Sequence, residues 1–118
     1  MSRETDKETV LTHKPADIAD RLLALARLYR AGQASELMDR TLDKLLARET
    51  ELNQSQLAQI QADLQAFEAQ YDLASDEFYR RFQAGQTDDR MDFVEWASLV
   101  QMRDNLRARL NVLTGQAT

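Results

Sequence analysis

Residues 71–96, YDLASDEFYRRFQAGQTDDRMDFVEW, decide the reading of this chain, because they hold six of its eight aromatic residues between helix-stop and helix-start signals. Ser75, followed by Asp76 and Glu77, has the form of a helix N-cap with a first turn that complements the helix dipole. Phe78, Tyr79 and Phe82 then supply one apolar face before Gly85 closes the helix in the left-handed conformation that glycine adopts freely. Asp88 or Asp89 is expected to cap the helix that follows. The stretch therefore predicts a short aromatic helix between two others. This is a helix-turn-helix in outline only, since the flanks are acidic where a DNA reader needs basic and amide side chains.

Upstream, Ser35 can cap a helix whose apolar stripe begins Met38, Leu42, Leu45 and passes through Glu49 to Leu52. Beyond Asn53 the stripe resumes one residue out of step as Leu57, Ile60, Leu64, Phe67 and Tyr71, spaced three, four, three and four. No Gly or Pro interrupts residues 36–71. A single helix of that length would extend roughly 54 Å at about 1.5 Å per residue. The alternative is a break at Asn53, which has capping-box spacing to Gln56. The continuous helix is preferred, because rotating the buried face absorbs the slip. Such a helix needs a partner along its length.

Downstream, Phe93, Trp96, Val100, Leu106, Leu110 and Leu113 form a seam with Arg103 inside it, ending near Gly115. Arg103 should snorkel or pair with a carboxylate such as Glu68 or Asp63, fixing register instead of adding stability. Near the start of the chain, Pro15 suits a first helical position. Ile18, Leu22, Leu25 and Leu28 or Tyr29 then share one face, and Gly32 is the expected stop. Residues 1–14 are polar and unpatterned, so a disordered tail is expected over 1–14 and a single helical domain over 15–118. The fold class that follows is all-α: a long, coiled-coil-like helical hairpin with the short aromatic helix at its bend and an extra N-terminal helix. Much of the long helix would stay uncovered, so a homodimer is expected. Leu57, Ile60, Leu64, Phe67 and Tyr71 would form the dimer or hairpin seam.

Composition narrows the function classes. The 118 residues include three Gly, one Pro and no Cys, which suits long helices and rules out disulfides and thiolate metal sites. No cofactor is expected. The start lacks the apolar core of a signal peptide, and no apolar run spans a bilayer, so a cytoplasmic protein is the plain expectation. The net charge is −5, unevenly spread. Residues 51–95 carry three Lys/Arg against ten Asp/Glu, whereas residues 1–50 balance nine against nine. An acidic middle repels phosphates, so direct nucleic-acid binding is not expected and a basic protein partner is.

Two blocks carry a resemblance: LMDRTLDKLLARE at 37–49 and LQAFEAQYDLASDEFYRRFQAGQTDDRMDFVEWASL at 64–99. The stretch from Glu77 to Phe82 and that from Asp92 to Trp96 are its most specific parts. They are similar to a family of short helical proteins of bacteria and archaea found beside small toxin proteins and regarded as their antitoxins. Members tend to carry Gly where this chain has Asp72 and Thr87. The resemblance implies a protein without catalytic residues that neutralises a co-expressed small toxin, such as a ribonuclease, by direct binding.

The residues themselves agree in one respect, since an acidic, aromatic-bearing face would complement a basic RNA-binding surface. Tyr79, Arg80, Arg81, Asp88, Asp89, Asp92 and Glu95 are the candidate partner contacts, while Phe78, Phe82, Phe93 and Trp96 read as core. The acids also have a plain reading as helix caps, and no metal set accompanies them. His13, the one histidine, lies in the tail. The runner-up function is a homodimeric coiled-coil scaffold or adaptor with no toxin partner. An enzyme comes third, for want of groups converging in a dry cleft.

Overall fold

The computed structural model describes residues 15–115. The expectations for the 1–14 tail and for His13 lie outside the described residues. Four helices follow in order: α1 Pro15–Arg30, α2 Glu36–Tyr71, α3 Ser75–Gln83 and α4 Met91–Leu113. No strand occurs among the described residues. The chain divides into two compact units, Met1–Asp43 and Lys44–Thr118.

In the first unit, α1 ends on Gly32 at φ +69°. Gln33 N–H donates to the Leu28 carbonyl at 2.8 Å and Gly32 N–H to that of Tyr29 at 3.1 Å, which satisfies the terminal carbonyls of the helix. Ser35 starts α2 as expected, its Oγ accepting from Met38 N–H at 3.1 Å. The Tyr29 hydroxyl faces the Asp39 carboxylate, which pushes the phenol up to about 12.

In the second unit the core comprises Ile60 and Leu64 of α2, Phe78 of α3, and Trp96, Ala97, Val100 and Leu106 of α4. α2 continues through Asn53, whose buried side chain turns back to donate to the Glu49 carbonyl at 2.6 Å. The helix therefore absorbs the phase slip without a break. α4 runs antiparallel to this part of α2: Phe93 meets Tyr71, Trp96 meets Phe67, and Arg109 reaches Glu49 at 3.5 Å. The residues expected to form a seam lie along this contact. Ile60 and Leu64 are buried, and Leu57, Phe67 and Tyr71 pack half-buried against the same core.

α2 ends through Asp72, which takes φ +52° so that Leu73 N–H can reach the Glu68 carbonyl at 3.3 Å. α3 closes on Gly85 at φ +73° with the same pair of reverse bonds that ends α1. No described helix is long and apolar enough to cross a membrane.

Candidate functional site

The geometry of residues 71–96 grows from one buried indole. Trp96 is fully enclosed, with Phe78 stacked on it at 3.9 Å between ring centroids and 3° between planes. Phe67 and Tyr71 stack at 5.5 and 5.6 Å. A buried indole N–H needs an acceptor, and here it donates to Ser75 Oγ at 3.0 Å.

That contact corrects the expected role of Ser75. Its side chain is committed to Trp96, so the N-cap of α3 is Ala74, which has no side chain to offer. The capping oxygen comes from another helix: Ser75 N–H donates to Glu68 Oε2 at 3.0 Å. Glu68 is thereby engaged away from Arg103, contrary to the expected pair. Arg103, buried on α4, instead binds Asp76 Oδ1 at 2.6 Å and Asp104 at 2.9 Å. Asp76 sits in the first turn of α3, so this ion pair also ties α3 to α4.

The expected cap of α4 is likewise corrected. The N-cap is Arg90, without a side-chain cap bond. Asp88 is held by the Arg90 guanidinium in a fork at 3.0 and 2.9 Å and accepts from the Arg90 N–H at 3.2 Å. These bonds hold the Asp88 carboxyl below its ordinary range. The same guanidinium lies 4.7 Å from the centre of the Phe93 ring, a cation–π contact.

The remaining candidates fall into three settings. Tyr79 is half-buried, and its hydroxyl accepts from Gln101 at 2.8 Å and from Gln83 at 3.1 Å, linking α3 to α4. Arg80 and Arg81 are exposed and both held by Glu77, at 2.6 and 2.8 Å. Their hydrogen bonds pull the Glu77 carboxyl down to about 2. Asp92 is half-buried and accepts from the Tyr71 hydroxyl at 2.7 Å, which raises the Tyr71 phenol. Asp89 and Glu95 are exposed.

A cleft of about 360 Å³ opens among these groups, walled by Tyr71, Phe78, Phe93 and Trp96 and edged by Arg81 and Asp88. It brings together residues from the end of α2, from α3, and from the start of α4. Arg90 was not among the residues singled out from sequence, though it organises Asp88 and Phe93. Its signal was its position as the one cation within the run Asp88 to Asp92. A second groove, about 550 Å³ and mostly apolar, lies between α2 and α4 at Ile60, Leu99, Met102 and Leu106.

Chemically, the 71–96 region offers aromatic faces, forked ion pairs and free carboxylates, a set suited to binding. No group of three His, Cys, Asp or Glu side chains able to hold a metal occurs among the described residues. Comparison with protein-family models, with curated proteins and with solved structures finds no match.

Proposed function

We propose that this chain is an antitoxin-like protein that binds and neutralises a small, basic, co-expressed toxin. The observation that carries the reading is the cleft at the half-buried rings of Tyr71 and Phe93, floored by the enclosed Phe78 and Trp96, with the carboxylates of Asp88, Asp89, Asp92 and Glu95 in the same segment. A basic surface evolved to hold RNA would meet carboxylates in place of phosphates and the half-buried rings of Tyr71 and Phe93 in place of bases. Exposed Asp89 and Glu95 need shed no internal partner among the described residues to bind. Arg80 and Arg81 share the single carboxylate of Glu77, which offsets half of their charge. The left-handed backbone at Asp72 further supports the family reading, since the resembled family carries glycine there and glycine adopts that conformation without strain.

The test is growth. Any small open reading frame found beside this gene is expressed in a bacterial host alone and together with this chain. Arrest relieved by co-expression, with a complex that co-purifies, is the expected result. A harmless neighbouring product, or arrest that this chain does not relieve, would overturn the proposal.

A further inference from the structure

Every buried side chain among the described residues lies between Asn53 and Leu106. None lies between Ala16 and Leu52. In the unit ending at Asp43, Leu25 of α1 meets Leu37, Met38 and Leu42 of α2 around an apolar cleft of about 260 Å³. Ile18, Leu22, Leu28, Tyr29 and Leu37 remain between 38 and 67% exposed. Two helices cannot enclose a core between them, and this pair leaves its apolar stripe open.

We infer that this stripe is covered by a second copy of the chain, so that α1 and the start of α2 from each copy stack into a four-helix bundle. Charge favours that occupant over a basic protein. Residues 15–43 hold four Lys/Arg against five Asp/Glu, so two copies meet here almost without net repulsion. The acidic stretch at 51–95 would instead repel its own counterpart. α1 also carries Asp17 in its first turn and Arg27 and Arg30 in its last. An antiparallel second α1 sets each acidic end beside a basic one and opposes the helix dipoles. None of the ion pairs among the described residues uses a charge of this unit, so these groups are not already engaged in one.

Area sets the strength. Fully burying a large aliphatic side chain removes roughly 60–120 Å² of apolar surface. The five half-exposed side chains therefore offer about 200 Å² per copy, or about 400 Å² for two. With interfaces about 60% apolar, the total comes to roughly 700 Å², below the usual size of a stable interface. The dimer is accordingly weak and concentration-dependent. The alternative seam, Leu57 to Tyr71, is spent inside the chain against α4. The inference does not depend on toxin binding.

Sedimentation equilibrium on the full chain tests it. The wild-type mass should rise from 13.6 kDa toward twice that value across the micromolar range. Leu22→Glu/Leu37→Glu, which charges one half-exposed stripe position on each helix, should stay monomeric with unchanged helicity. If that variant loses helicity, Ile18→Gln/Leu28→Gln replaces it and should weaken dimerisation at least about tenfold. A wild-type mass fixed at the monomer value overturns the inference, including the case in which the stripe binds anionic vesicles instead. A dimer undiminished in the folded variants overturns it equally.

Discussion

Trp96 and Ser75, 21 residues apart in the chain, share a hydrogen bond of 3.0 Å that joins the start of α3 to the buried face of α4. Ser75→Ala leaves the indole N–H buried without an acceptor and should cost about 1–3 kcal/mol. Trp96→Ala removes the centre of the aromatic stack as well and should cost about 3–5 kcal/mol, enough to unfold so small a core. Urea denaturation of the two variants gives the ordering directly. A Ser75→Ala cost near zero would mean the bond contributes nothing.

Glu68 supplies the cap that the sequence of α3 lacks. Glu68→Ala should therefore destabilise by about 0.5–2 kcal/mol, the range for loss of an N-cap. Amide exchange should show the loss at Ser75 and in the first turn of α3 before it reaches α4. Uniform weakening of all helices would place the effect elsewhere.

The Tyr71–Asp92 pair predicts an alkaline signature. Because the folded phenol is raised, its contribution is fully present below the ordinary value of 10 and is lost as pH rises through the folded value. Tyrosinate absorbance should show a late-titrating component that Tyr71→Phe diminishes and Asp92→Asn moves back toward 10, apart from the late component of Tyr29, which neither change alters. Glu77 predicts the opposite edge. Its carboxyl, held down at about 2, contributes above 4.5 and loses that contribution as pH falls toward 2. Glu77→Gln should flatten the acid loss of α3 helicity.

Asp72 holds a backbone conformation that costs an ordinary side chain about 1–2 kcal/mol. Asp72→Gly should raise stability by about 0.5–1 kcal/mol after the entropy that glycine adds to the unfolded chain, and Asp72→Val should lower it. Thermal melting of the pair gives the sign of each change.

Reversing Arg80 and Arg81, or Asp88 and Asp89, should leave the fold within about 0.5 kcal/mol, since all four are exposed and the ion pairs of Arg80, Arg81 and Asp88 are screened. The same reversals should alter partner affinity by about tenfold or more if they face a charged surface. Melting as severe as that of Trp96→Ala would show them to be structural.

Local signals in the sequence carried the four helices. Gly32, Ser35 and Gly85 stop or start helices where their own backbone and side-chain chemistry dictates. The uninterrupted 36–71 stripe forms one helix. Signals that depend on tertiary demand did not read correctly. Ser75 has the chemistry of a cap, yet the buried indole of Trp96 claims its hydroxyl. Asp88 likewise spends its oxygens on Arg90, so Arg90 becomes the N-cap of α4. Arg103 stood out as a charge in a seam, but its partner, Asp76, comes from the short helix across the contact, a pairing no spacing along α4 encodes. Within the candidate site the aromatic residues were legible as a cluster. The ties that hold Arg80, Arg81, Asp88 and Asp92 in place depend on how α2, α3 and α4 converge.

The most direct test is calorimetric titration of the purified neighbouring gene product into the wild-type chain and into Asp88→Arg/Asp89→Arg, with helicity checked in both. Tight binding to the wild type is expected, weakened by added salt and reduced at least about tenfold by the folded reversal variant. No binding to the wild type, or binding that the reversal leaves unchanged, would contradict neutralisation through this acidic and aromatic face.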